Sequence, residues 1–258
     1  MTTGLSYDGT VSGTTSYIAQ IATMAVVDET DPAFLTILPQ AITYAENRIY
    51  RDLNFLFTSA SNSSYYVELG ARTLTVPNAA NFAPGDPYGG GVLVVTEQLN
   101  VLTPAGNTNP DSSIRVPLLP TTKEFLDAVY GASGQTGVPK YFAPFNDNLF
   151  LVGPFADQRY YVEIVGTFRP ISMSSSQKTT FVSLYLPDLF IMASMVYISG
   201  YQRNFTSAAS NDPQMPINYE TQYQTLLKSA AVEEARKKFE AAGWSSQAPA
   251  VSASPSRG

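Results

Sequence analysis

Between Leu38 and Leu53 the chain reads LPQAITYAENRIYRDL, with apolar residues at Leu38, Ala41, Ile42, Ala45, Ile49 and Leu53, and then Leu56. They recur at i, i+3, i+4 and i+7, the spacing of one helix face. Glu46, Asn47, Arg48, Arg51 and Asp52 read as the charged back of that helix. Upstream, Thr14 to Ser16 offer a cap for YIAQIATMAV, in which Tyr17, Ile18, Ile21, Met24 and Ala25 share a face. Asp31 before Pro32 pairs an N-cap with a first-turn proline and predicts a separate short helix there.

The period changes after about Thr58. Tyr65 to Leu69 and Arg72 to Val76 read as two strands around a tight turn at Gly70-Ala71. AANFAPGDPYGGG (79–91) has loop composition. GVLVVTEQLNVL and SSIRVPLL read as strands separated by TPAGNTNPD, and Thr121 with Glu124 fits a capping box for a short helix that stops at Gly131. Strand signals return in PKYFAPFNDNLFLVGPF, with a turn at Asn146-Asp147-Asn148, and in QRYYVEIVGTFRP. In the latter, Tyr161, Glu163, Val165 and Thr167 alternate with Val162, Ile164, Gly166 and Phe168.

Helix resumes at Pro187-Asp188. LFIMASMVYISGY is apolar nearly all round, which predicts a buried central helix. NDPQMP breaks it. A long last helix follows from about Asn218 to Ala242, with Tyr219, Tyr223, Leu226, Leu227 and Ala230 as its packed face. Its second half carries the pairs Glu233–Lys237 and Glu234–Lys238 in the favourable order, has little apolar surface, and is expected to project.

The stripe at Leu38 to Leu53 therefore needs the helices near 187–201 and 218–240 to cover it. The expected fold is α+β: a discontinuous helical bundle with an inserted antiparallel β domain. The expected division is a flexible N-terminus (1–13), a helical bundle (14–57 and 181–242), a β domain (58–180) and a flexible C-terminal tail (243–258). The expected bundle packing residues are Leu38, Ile42, Ala45, Ile49, Leu53, Tyr223 and Leu227.

Composition narrows the function. Charged residues are 14% of the chain, against about 25% in ordinary domains. Such neutral surface suits contacts between subunits, where charge is depleted. There is no cysteine and no histidine. That removes disulfides, thiol nucleophiles, Ser–His relays and the usual zinc ligands. The formal net charge is −6, with Arg236, Lys237 and Lys238 the one clear basic cluster, so sequence-specific nucleic-acid reading is not expected. The start of the chain lacks the charged and apolar regions of a secretory signal, and the longest apolar run is too short to span a bilayer. The sequons at Asn62 and Asn204 consequently carry little weight.

Few residues suggest chemistry. Gly89-Gly90-Gly91 lacks the Lys-Ser/Thr of a phosphate loop. Asp86, Asp111 and Asp147 fall in loops, where a carboxylate pair could serve glycoside hydrolysis, although turn formation is the commoner role. No loop has the dense ligand pattern of a calcium site. No catalytic, metal or cofactor-binding residue is assigned, and no cofactor is expected. Trp244, the sole tryptophan, sits where the last helix stops and suits an interface anchor.

LPQAITYAENRIYRDLNF resembles the early helix of head-to-tail adaptor proteins of tailed bacteriophages, of the short-tailed phage type with an inserted β domain. VPKYFAPFNDNLFLVGPF, YYVEIVGTFRP, LPDLFIMASMVYISGY and the tyrosines of YETQYQTLL follow in the order such proteins show. The resemblance implies a structural virion protein of the neck, assembled in the host cytoplasm and without enzymatic activity. It implies a homo-oligomeric ring, usually of twelve copies, under the portal protein and above a tail nozzle or tube protein. DNA would pass through it without sequence-specific binding, and no membrane is involved. By position it assigns Arg236, Lys237, Lys238 and Trp244 to portal docking. A tail-associated glycan hydrolase or depolymerase using the loop carboxylates, or a minor capsid or tail-tube protein, are the alternative readings.

Overall fold

The computed structural model describes residues 4–76, 82–83, 90–132, 134–202 and 215–243. In chain order the elements are β1 (Gly4–Ser6), β2 (Thr14–Ser16), α1 (Tyr17–Ala25), α2 (Pro32–Asp52), β3 (Ser59–Val67), β4 (Thr73–Thr75), β5 (Gly91–Thr103), β6 (Ile114–Pro117), β7 (Leu119–Pro120) and α3 (Lys123–Val129). They continue with β8 (Thr136–Gly137), β9 (Tyr141–Asn146), β10 (Leu149–Gly153), β11 (Phe155–Ala156), β12 (Tyr160–Pro170), α4 (Phe181–Tyr185), α5 (Pro187–Gln202) and α6 (Met215–Gly243). The fold is α+β.

The helices share one apolar cluster built from two distant stretches of chain. Tyr17, Leu38, Ile42, Ala45, Ile49, Leu53 and Phe55 come from the first, and Val182, Phe190, Met195, Ile198 and Tyr223 from the second. Covering the α2 stripe thus requires chain that arrives more than a hundred residues later. α5 is the centre of this layer, in contact with α1, α2, α4 and α6. Its nearly all-round apolar sequence follows from that position.

Three features of the helical layer depart from the sequence reading. Asp31 caps a single 21-residue helix, accepting from Ala33 N–H at 2.8 Å, and not a separate short helix. Pro39 lies within it: proline removes one helical hydrogen bond, and the cost is borne because the flanking Leu38 and Ala41 are fully buried. The start of the chain, read as flexible, contributes β1, which pairs in parallel with β2 and buries Leu5. Helix α4 was not expected from the sequence. It is started by a capping box in which Thr180 and Ser183 satisfy each other's backbone N–H groups.

The strands form two principal sheets, ordered β4-β10-β9-β7 and β3-β12-β5-β6. A second apolar cluster draws on both: Leu74, Phe150 and Val152 from one sheet, and Val67, Leu99, Val101, Val162, Ile164 and Phe168 from the other. The alternation read in β12 holds, with Val162, Ile164 and Phe168 facing this cluster. Pairing is antiparallel in most of both sheets, but β7 pairs with β9 in parallel, as do β8 and β11. The stretches around Gly70, read as one turn-linked pair, part company. β3 joins β12 and β4 joins β10, so the turn passes the chain between sheets. The α3 cap is Thr122, one residue beyond the expected Thr121.

The layers meet at an aromatic joint. Phe57 stacks on Phe181 with ring centroids 4.0 Å apart and meets Phe168 edge-on at 6.4 Å. Phe55 adds an edge-on contact to Phe181 at 5.7 Å.

Candidate docking and assembly surfaces

The basic cluster is less free than its sequence suggests. Helix periodicity turns Lys237 back onto the bundle, with Nζ 2.6 Å from Glu234 Oε1 and 3.1 Å from Glu233 Oε1. The same ammonium lies 5.5 Å over the Phe181 ring. Glu234 is itself buried and accepts from Leu56 N–H at 3.3 Å. The helix thus stays packed as far as this turn, one turn further than a wholly projecting second half would allow. Arg236 is exposed and Lys238 is half-buried. Trp244 and Asp86 lie outside the described residues.

Of the expected bundle residues, Leu38, Ile42, Ala45, Ile49, Leu53 and Tyr223 are buried, and Leu227 packs against them half-buried. Around them lie polar contacts that the sequence did not single out. Arg48 forms a two-pronged ion pair with Glu220, and its guanidinium lies 4.1 Å above the Tyr223 ring. Tyr223 donates its hydroxyl to Asp52 at 2.7 Å. Burial, and donation to that carboxylate, push the Tyr223 phenol above its ordinary range.

By its charge Glu46 belongs to the polar back of α2, yet it is 1% exposed. It accepts from Thr180 Oγ1 at 2.9 Å and from Met173 N–H at 3.1 Å. The carboxyl therefore clips α2 to the segment that returns from β12 to α4. Burial pushes it up to about 7, although these hydrogen bonds favour the ionised form. A signal was present in the sequence: Glu46 is four residues after Ile42 and three before Ile49, which places it on the apolar face.

In the strand layer Glu163 is buried by Arg115, whose Nε lies 2.8 Å from Oε2, and it accepts from Asn100. Burial opposes its ionisation, but the guanidinium and the amide outweigh that and hold the carboxyl below its ordinary value. Of the loop carboxylates among the described residues, Asp111 reaches this pair at its edge and Asp147 does not. Asp111 sits 3.7 Å from Arg115 with its side chain almost wholly in water, and Asp147 is exposed in the β9–β10 turn. Among the described residues no cluster of three or more acidic side chains could hold a metal ion. No described helix is long and apolar enough to cross a membrane.

Several large apolar side chains stand in water: Val26, Leu69, Ile114, Phe145, Tyr185 and Ile217 are each more than half exposed. Single exposed apolar side chains are ordinary on a protein surface; the sparse charge is what sets this chain apart and suits contacts between subunits. No curated protein matches the chain. The family model described as SU10 adaptor protein matches residues 15–250, which takes in both layers and the whole of α6. The chain belongs to the SU10 adaptor protein family and is a structural head–tail adaptor of a tailed phage.

Proposed function

We propose that copies of this chain form a closed ring between the portal and the tail, with the helical layer (14–57 and 181–242) and the strand layer (58–180) acting as separate domains. In this reading the helical domain packs around the ring. The strand domain meets the tail component below. The end of the chain, through Arg236, Lys238 and Trp244, reaches the portal, while Lys237 steadies the base of that arm. The observation that carries the reading is the family match across both layers, joined by a surface poor in charge on a chain that already buries two internal cores. A closing ring uses two different surfaces of each copy. With a formal net charge of −6 and few cations, a lumen of such copies would neutralise few phosphates and let DNA slide.

The test is reconstitution. The purified chain, expected as a monomer at the high dilution of mass photometry and to self-associate only when concentrated, is mixed with the portal of its phage and followed by mass photometry and negative-stain imaging. Rings seated on the portal support the reading, whereas isolated subunits or decoration of the capsid shell overturn it. Removal of residues 244–258 is expected to leave thermal unfolding unchanged and to weaken portal attachment. Normal head-to-tail joining by that truncation removes the docking role of the arm.

A further inference from the structure

Val26 ends helix α1 with φ 56 and ψ 44, in the left-handed region. Glycine or asparagine usually takes this position, because a Cβ there is crowded and a β-branched one most of all. Val26 is also 88% exposed, so among the described residues nothing covers its methyl groups and offsets the strain. The turn that follows is acidic and exposed. Asp28 is held by Thr30 N–H and Thr30 Oγ1 at 2.8 and 2.6 Å, and Glu29 stands beside it in water. Those hydrogen bonds hold the Asp28 carboxyl below its ordinary value, so it is anionic at neutral pH.

A groove of about 690 Å³ lies along the outer face of α2. Its apolar wall is Pro39 and the tilted ring pair of Tyr44 and Tyr197, with centroids 5.1 Å apart. Thr43 and Asn47 supply neutral polar groups. Arg48 and Asp52 also line it but are engaged, Arg48 with Glu220 and Asp52 by the Tyr223 hydroxyl, whereas Arg51 is exposed and no ion pair ties it to another described residue. The turn lies at the start of α2 and the groove is centred near residue 46, about 20 Å further along the axis at 1.5 Å per residue. One copy cannot place its own knob in its own groove.

We propose that the groove is filled by the Val26 turn of a second copy of this chain, with the valine methyl groups against Tyr44 and Tyr197 and the carboxylates of Asp28 and Glu29 facing Arg51. The contact joins two different surfaces, and so repeats from copy to copy. It rests on the ring reading above and identifies the seam of that ring. The strain at Val26 is then a property of the free subunit, offset when the side chain leaves water.

The chain contains no cysteine, so an introduced pair reports without background. One preparation carries Val26→Cys and another Asn47→Cys, both in the full chain. Mixed at high concentration and oxidised, they are expected to give a disulfide-linked dimer that neither yields alone. Arg51→Glu is expected to weaken self-association by about tenfold, the equivalent of 1.4 kcal/mol. A partner carrying Asp28→Lys and Glu29→Lys is expected to restore it. All these positions are exposed or half-buried, and unchanged thermal unfolding checks the fold of each variant. Assembly without the cross-link, and without sensitivity to the charge reversals, overturns the seam and leaves the ring standing. Blockage of Val26→Cys by the portal and not by a second copy also overturns it. A chain monomeric at every concentration overturns it too; images of intact phage necks then judge the ring separately.

Discussion

Arg48 and Glu220 join helices α2 and α6 through two parallel hydrogen bonds, Nη1 to Oε2 at 2.8 Å and Nη2 to Oε1 at 2.6 Å. The pair is partly exposed, with side-chain accessibilities of 20% and 37%, so its net worth is well below its Coulomb energy. The stacking of Arg48 on Tyr223 adds to it. Arg48→Ala is expected to cost about 1–2 kcal/mol, of which a double-mutant cycle with Glu220→Gln recovers about half. Urea unfolding checks this. Additive effects of the two substitutions would mean that the pair contributes nothing of its own.

Glu46 gives a pH dependence whose sign follows from burial. Its native value, about 7, lies above the ordinary 4.5, so between these pH values the folded chain holds a proton that the unfolded chain has lost. The stability from this group is full below 4.5 and is lost as pH rises to about 7. The change is of the order of 3 kcal/mol at most. Glu46→Gln is expected to flatten that part of the profile. Urea midpoints at pH 5 and pH 8 for both proteins decide; equal slopes refute the assignment.

Gly166 belongs to β12, where a Cβ would lie 2.2 Å from the Val95 carbonyl oxygen and 2.7 Å from Leu93 Cδ1. The nearest atom is backbone and cannot swing away. Gly166→Ala is expected to cost about 2–4 kcal/mol by forcing β5 from β12. A loss below about 0.5 kcal/mol, within the range of neutral surface changes, would show that the strands adjust freely.

Val26→Gly relieves the left-handed strain while loosening the unfolded chain. The first effect is the larger at a β-branched residue, so a gain of up to about 1 kcal/mol in the isolated chain is expected. Chemical denaturation of the free subunit measures it. Unchanged or lower stability would show that the strain is no larger than the entropy glycine returns to the unfolded chain.

Legibility of the fold followed the length of the periodic runs. The α2 stripe, the apolar α5 and the packed face of α6 were plain, because each repeats a helical spacing over several turns. Glu46 was not, since a carboxylate between Ile42 and Ile49 was read by its charge and not by its angle on the helix. Its partners, Thr180 and Met173, lie far along the chain. The partition of β3 and β4 between sheets was illegible for a related reason. Local turn chemistry at Gly70 fixes a reversal but not which strand lies alongside, and β12 and β10 are distant in sequence. The assembly surfaces were visible only in outline. Low charge signalled them, but exposure of Val26 and inward rotation of Lys237 depend on side-chain direction in the folded chain.

The stacked phenylalanines between the layers have a mechanical meaning. Phe57 is stacked on Phe181 of α4 and met edge-on by Phe168 of β12, one ring from each layer. Close-packed interiors resist compression. A pull or twist applied to the sheets is therefore delivered into α4, and through the Lys237 ammonium above the Phe181 ring into α6, with little slack. The subunit behaves as a stiff strut: load reaching one end is felt at the other, where the basic turn of α6 lies.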